Sequence, residues 1–535
     1  MRPYMVIKCC KSWLGSFSMG LDALDYKTYA EAKERFRYSA RWTVFDADRE
    51  RLNIANECLD RHPKEEEAVR IKFAGGHRQV YTFGEMSSLT SQFAHLLSRK
   101  GVNAGDRVAV ILNPSQEFYV TLFGTLKRGA VIVPCFPAFG PDAIEYRLNQ
   151  SAARMVVTSE ENASSISGIP ASHIVTGHEL RDLLQGQPEE YKTETSSDSL
   201  AVIQFSSGTT GAPKMVPYRH AAATLAAVNV KISAGLRQDD QYFCPSSPAW
   251  GHGIWFGTIA PLVFGRAVGA YSGKFRAETL LEALEEFEIT NLSAAPLVYR
   301  IVKECGKIGE YRLRLRDMSF TGAAMDADTA LYFQQHLGIT PRSMYGSTEI
   351  GAVLVDYPYQ DWPVKAGSMG RAMLGVEAAV IDEEGKALPP GQVGQIAAVR
   401  EGRWVRTGDA AYVDEEGYFW HKGRMDDIII SAGYTIGPLE IEEALEKHPA
   451  VLRAAVVGSP DQERGEVVKA FVITDQEPGP ELEREIQEFV RTRLSKHEYP
   501  REIQFVAGLP ETPDGKIKRK ELRDLERARK GATAG

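Results

Sequence analysis

"RVAVILNPSQEFYVTLFGTLKRGAVIVPC", residues 107–135, decides the fold. "RVAVILN" is an apolar run of strand length, rich in β-branched residues. "SQEFYVTLFGTLKRG" carries helical periodicity and stops at Gly129, and "AVIVPC" is a second apolar run. Strand, helix and strand in this order form a βαβ unit. The strands are apolar throughout rather than alternating, so both faces of their sheet are covered.

The pattern continues on both sides. "ARMVVTS" (153–159) and "LAVIQF" (200–205) read as further strands, "AETLLEALEEFE" (277–288) as a helix, and "ITNLSAAP" and "DMSFTG" as strands. "DADTALYFQQHLG" (326–338) reads as a helix capped by Asp326 and closed by Gly338. After about Ser368 the texture changes: "VEAAVIDEEGKALPPGQVGQIAAV" (376–399) looks like antiparallel hairpins with acidic-Gly turns. It changes again near Asp426, where short strands, amphipathic helices and a basic end follow. The expected architecture is α/β: a large N-terminal domain (1–425) of parallel-sheet subdomains plus a small β subdomain. A small, mobile α+β domain (426–535) follows.

Composition narrows the function. A chain of 535 residues, 43% apolar and 25% charged, reads as soluble and multidomain. A net charge of -8 argues against general affinity for nucleic acid or anionic membranes. The cysteines (9, 10, 58, 135, 244 and 305) show no C-x-x-C spacing, so neither a zinc site nor a disulfide scaffold is expected. The chain reads as reduced and cytoplasmic. Lys8 and Lys11 interrupt the apolar N-terminus, no Ala-x-Ala follows, and no run is long enough to span a membrane.

The chemistry starts at "QFSSGTTGAPK" (204–214). Gly208 and Gly211 free the backbone to turn successive N–H groups toward one anion. The hydroxyls of Ser206, Ser207, Thr209 and Thr210 add donors, and Lys214 adds a mobile charge. Only two residues separate the glycines, so the loop is not a Walker A sequence. A flexible surface turn is the plain alternative. Four later stretches share this composition: "MYGSTE" (344–349), "RTGDAAYVDEEGYFWHKGRMDD" (406–427), "SAGYTIGPLEIE" (431–442) and "PETPDGKIKRKELR" (510–523). Each is weak alone.

In this order, from about residue 40 to 525, the five resemble the adenylate-forming superfamily of acyl-CoA synthetases, adenylation domains and luciferases. "GYTIGPLEIE" and "GSMGRAM" look most like the medium-chain acyl-CoA synthetases, and "AWGHGIWFG" is similar to a stretch of the benzoate–CoA ligases. The resemblance implies that a carboxylic acid attacks the α-phosphorus of ATP, and that CoA then displaces AMP. It implies that residues 206–214 hold the β- and γ-phosphates, that Thr348 meets the α-phosphate, and that Glu349 holds Mg2+. Asp409 would accept from both ribose hydroxyls and Arg424 would reach ribose or phosphate. Tyr345, beside Gly346, would face adenine, and the Gly322–Ala323–Ala324 turn would lie along the purine. Ala323 stands where the family often has an acid, which leaves only backbone contacts there.

Lys516 would bridge the carboxylate and α-phosphate, and Asp426 matches the hinge position. Gly433, followed by Tyr434, would line the pantetheine channel. Thr435 stands where an arginine is frequent, so a contact to CoA is in doubt. The acyl pocket would be lined by Trp250, Gly251 and His252 and by Gly351, Ala352 and Val353. His252 reads equally as a packed neutral histidine or as a pocket contact, and Trp255 as core. Gly351, Ala352 and Val353 offer less volume than the His and Ile of benzoate–CoA ligases, so a medium-chain, branched or aryl acid is expected rather than acetate. The alternatives are an adenylation enzyme loading a carrier protein, a luciferase-like oxygenase, and a non-catalytic nucleotide-binding homologue. Oligomeric state, a homo-oligomer included, is left open.

Overall fold

The computed structural model describes residues 24–166, 173–206, 213–347, 350–400, 402–431, 434–461, 464–494, 498–511 and 517–533. The βαβ unit forms as the sequence dictates. Strand Arg107–Ile111 leads into helix Gln116–Lys127, whose N-cap Ser115 accepts from the Phe118 N–H at 3.2 Å. The chain turns at Gly129 and returns as Val131–Pro134, parallel to the first strand. The sheet has six strands: His173–Thr176, Ala153–Thr158, Arg107–Ile111, Val131–Pro134, Leu200–Ser206 and Lys214–Arg219. Only the last pair is antiparallel. Val108, Ala109, Val110 and Ile111 are fully buried on both faces, as an unbroken apolar run requires.

A second sheet of nine strands has a parallel centre built from Glu67–Phe73, Val268–Ser272, Tyr242–Phe243, Asn291–Ala294, Asp317–Phe320 and Arg342–Ser347. Antiparallel strands close both edges: Arg78–Thr82 at one, and Gly351–Val355 with Arg371–Ala372 at the other. The early hairpin therefore joins a sheet whose other strands come after residue 240, a long-range pairing with no local signature. Helix Ala327–Leu337 is capped by Asp326 and ended by Gly338, as expected.

Ala378–Ile381, Gly394–Arg400, Arg403–Val413 and Phe419–Arg424 form the small antiparallel sheet. Beyond it, Ile429–Ser431, Tyr434–Ile436, Arg453–Asp461, Gly465–Ile473 and Glu502–Phe505 make a separate sheet with helices Pro438–Leu445, Pro480–Arg493 and Arg519–Thr533. Its core is its own, centred on Ile429, Ile441, Val456, Val472 and Ile486. No helix among the described residues is long and apolar enough to cross a membrane.

Candidate active site

Two sheets converge on Asp409. The antiparallel register of Arg403–Val413 with Phe419–Arg424 sets Asp409 opposite Arg424, and Arg424 Nη1 donates to Asp409 Oδ1 at 3.1 Å and to the Thr407 carbonyl at 3.2 Å. The guanidinium lies on Gly408, whose φ is +81° and where a Cβ would meet Arg424 Nη2 at 2.5 Å. Only glycine fits that turn. From the large sheet, the Tyr345 hydroxyl donates to Asp409 Oδ2 at 2.5 Å. Burial and the adjacent carboxylate push the Tyr345 phenol well up, so it stays protonated and donates. Burial opposes ionisation of Asp409, but the His421 imidazole, the Tyr345 hydroxyl and the Arg424 guanidinium outweigh it and hold the carboxyl below its usual range. Asp409 is thus an ionised, preoriented acceptor. Tyr345 meets it through its hydroxyl, a contact the sequence reading did not include.

The second corner is the turn at Gly322. Its φ is +96°, and a Cβ there would come within 2.5 Å of Trp250 Cη2, so the indole lies directly on the turn. Ala323 and Ala324 are exposed beside it. Trp250 precedes a π-helical stretch, His252–Ile259, a geometry that recurs at functional sites. Here Trp255 is core and donates from Nε1 to Gln204 Oε1 at 3.1 Å, while Gly251 lies against the same glutamine side chain. His252 is buried between Ser246 Oγ (2.9 Å from Nδ1) and Ser293 Oγ (2.9 Å from Nε2). Ser319 donates to Ser293 at 2.8 Å, which leaves the Ser293 proton for Nε2 and the Nδ1 proton for Ser246. His252 is therefore the packed, neutral histidine of the two readings, and desolvation lowers its pKa to about 3.

That depression has a sign. His252 and the equally buried His220 (also about 3) stay neutral where the unfolded chain, with histidine near 6.5, takes up protons. Their contribution is complete above pH 6.5 and is lost as pH falls toward 3. Between pH 6.5 and 5, each is expected to withdraw up to about 2 kcal/mol. Urea unfolding at the two pH values measures it. His252→Gln should shrink the loss by about one histidine's share, and an unchanged loss would contradict the neutral assignment.

On the strand Gly351–Val355, the two expected pocket residues pack against different clusters. Ala352 is half-buried and packs toward the large core, whereas Val353 is fully buried in a second cluster with Leu354, Met369, Val380 and Ile396. Gly351 is exposed, and the Gly346 backbone packs against Gly351 and Ala352 so closely that a Cβ would reach Gly351 O at 2.2 Å.

Several expected residues lie outside the described residues: Ser207, Gly208, Thr209, Thr210 and Gly211, then Thr348 and Glu349, then Gly433, then Lys516. Their flanking residues are described. Ser206 pairs with Lys214, which is exposed. Ser347 pairs with Gly351, and Tyr434 with Ser431. Glu511 bridges Ile517, and the Lys518 N–H donates to the Pro510 carbonyl at 2.8 Å.

Asp426 sits between two anchors. On one side Arg424 is fixed to Asp409. On the other, buried Asp427 pairs with Arg523, and Arg519 donates to buried Glu442 from Nε at 3.0 Å and from Nη2. Met425 and Asp426, within a single 3-10 turn, are exposed. The seam beside this turn holds a cleft lined by Val393, Tyr412 and Lys422 on one side and Ile428, Gly437 and Glu440 on the other. Lys422 and Glu440 pair across it.

Sequence reasoning missed Thr407 and His421. Thr407 Oγ1 accepts from the Asp409 N–H at 3.1 Å, and His421 Nε2 lies 3.9 Å from Asp409 Oδ1. Once Asp409 was matched to Arg424, hairpin register offered the signal, since His421 lies three residues before Arg424 on the paired strand.

The AMP-binding enzyme family matches residues 56–404, and the AMP-binding enzyme C-terminal domain matches residues 440–516. The chain is 32% identical over 521 residues to the acetyl-coenzyme A synthetase of Bacillus subtilis (strain 168), covering 89% of this chain and 91% of that protein. It is also 32% identical over 533 residues to the mitochondrial acyl-coenzyme A synthetase ACSM3 of Mus musculus, with coverage of 89% and 91%. A crystal structure of the anthranilate CoA ligase AuaEII in complex with anthranoyl-AMP superposes with a TM-score of 0.83 at 27% identity, covering 93% of this chain and all of that one.

Proposed function

The chain belongs to the AMP-binding enzyme family, and on that premise we propose how its residues divide the work of an AMP-forming acyl-CoA synthetase. The enzyme is an acid–thiol ligase. A carboxylate oxygen attacks the α-phosphorus of ATP and pyrophosphate leaves. The sulfur of CoA then attacks the acyl carbonyl and AMP leaves. The first step brings a carboxylate against a polyanion, so donors and cations fixed in advance lower its barrier.

We assign the ribose to Asp409, supported by its ionised carboxylate held between Tyr345 and Arg424. That convergence of two sheets on one acceptor is the observation that carries the reading. The Gly322–Ala324 turn with Trp250 upon it fits the purine side. Residues 206–214, with Thr348, are assigned to the phosphates and Lys516 to the bridge between carboxylate and α-phosphate. The domains divide at 425/426.

Glu349 is the residue proposed to hold Mg2+. Among the described residues no three His, Cys, Asp or Glu side chains cluster as a metal site. A hard cation held by one carboxylate and the oxygens of ATP needs no such cluster, so the donor set fits. Bound there, the ion would supply charge neutralisation to the phosphates.

We propose a medium-chain, branched or aryl acid as substrate, with Ala352 as the pocket wall. Its methyl group leaves volume, and it is the one of the Ala352–Val353 pair whose side chain is not sealed in the neighbouring core. Ala352→Phe should lower kcat/KM for a C8 acid about tenfold to a hundredfold, the ~1–3 kcal/mol that overpacking costs. Acetate and propionate end short of the wall and should be nearly untouched. Parallel losses at all chain lengths would make Ala352 a packing residue. A parent enzyme preferring acetate to hexanoate and benzoate would overturn the acid class.

A further inference from the structure

We propose that Gln204 is a positioning residue for acid selection: its side-chain amide holds the Trp250 indole in place at the edge of the acyl pocket. The inference rests on the expected placing of Trp250 at that pocket and adds a residue that the motifs leave without a role. Gln204 is 2% exposed in strand Leu200–Ser206, where Ala201, Val202 and Ile203 before it are buried and apolar. A buried amide in such a run persists where its donors and acceptor are met, so its partners show what it does.

Both partners lie on the segment around Trp250. Trp255 Nε1 donates to Gln204 Oε1 at 3.1 Å, and Gln204 Nε2 donates to the Ala249 carbonyl at 3.4 Å. An indole N–H can only donate and a carbonyl can only accept, so one orientation of the amide serves both. Gly251 abuts the same group: a Cβ there would touch Gln204 Oε1 at 3.6 Å. One side chain thus holds the residues on either side of Trp250, while the Trp250 carbonyl accepts from the Ile254 N–H at 3.0 Å. With its backbone fixed in this way, the indole is delivered onto the Gly322 turn, where a Cβ would come within 2.5 Å of Cη2. It also meets the His252 ring edge-on, with centroids 5.5 Å apart.

A fixed wall discriminates between acyl groups, and a loose one yields to them. Glutamine supplies the acceptor and the donor that fix this wall, whereas methionine matches its length and offers neither. Gln204 acts through Trp250, and no part of its role requires contact with the acid.

The test measures kcat/KM for acids from C2 to C12, benzoate and phenylacetate in acid-dependent ATP–pyrophosphate exchange. The proteins are the parent, Gln204→Met, Trp250→Ala and the two changes combined. In Gln204→Met the spread between the best and the worst acid should contract about tenfold, within what an apolar wall discriminates, with KM for ATP inside about twofold of the parent. Trp250→Ala should contract the spread as well. Adding Gln204→Met to it should change the spread no further, since the amide then has no indole to hold. A contraction that Gln204→Met still causes without the indole overturns the proposal. So does an unchanged spread in Gln204→Met, or a parallel loss on every acid with KM for ATP rising, the signature of packing. Methionine leaves the Trp255 donor without its acceptor. Gln204→Met combined with Trp255→Phe removes both partners and should show the same contraction, and its absence there also overturns the proposal. Trp250→Ala separates the two levels: if it leaves the spread intact, the placing of Trp250 at the acyl pocket itself fails.

Discussion

Lys516→Ala is expected to slow acyl-adenylate formation by about two to three decades while sparing thioester formation from preformed acyl-adenylate and CoA. The magnitude is that of one preorganised donor removed from a charge-developing site, ~3 kcal/mol or more. The basic residues that follow cannot substitute. Lys518, just before helix Arg519–Thr533, pairs with Glu521 at 3.0 Å, and Lys520 in its first turn pairs with Asp524 at 2.8 Å. Arg519 is committed to buried Glu442. The Glu511–Ile517 bridge pairs the two residues that flank the segment carrying Lys516. Single-turnover measurement of each half-reaction checks the split. Equal losses in both would contradict a lysine reserved for the first step.

Asp426→Pro should give the opposite division. Proline fixes φ near −65° and disfavours helical backbone at Met425 before it, but that cost is confined to one exposed turn, whose backbone bond from the Ile428 N–H to the Arg424 carbonyl at 3.1 Å does not use residue 426. The variant should therefore fold. What it loses is torsional freedom at the exposed point between the Arg424–Asp409 anchor and the Asp427–Arg523 anchor. A domain that turns about one or two residues needs that freedom. Acid-dependent pyrophosphate exchange should survive and transfer to CoA should collapse by a hundredfold or more, about 3 kcal/mol. Normal overall turnover would remove the hinge assignment.

The sequence made visible whatever local periodicity or turn chemistry writes. The βαβ unit at 107–135, the capped helix after Asp326 and the hairpins after Ser368 all formed where expected. Strand order in the nine-stranded sheet was not visible, because the pairing of Glu67–Phe73 with Val268–Ser272 spans nearly two hundred residues of chain. The site followed the same division. Asp409 and Arg424 came from the resemblance to the adenylate-forming superfamily, but the Tyr345 contact joins two different sheets and His421 depends on hairpin register. Ala352 and Val353 are neighbours in the motif but pack against different clusters, a split that position in a motif does not write.

The measurement that tests the account most directly is pyrophosphate release and thioester formation with purified protein, ATP, Mg2+ and acids from C2 to C12, benzoate and phenylacetate, with and without CoA. The account predicts acid-dependent exchange of pyrophosphate into ATP without CoA, AMP and acyl-CoA in equal amounts once CoA is added, and a preference for acids longer or bulkier than acetate. Exchange with no acyl-CoA formed from any acid would contradict it.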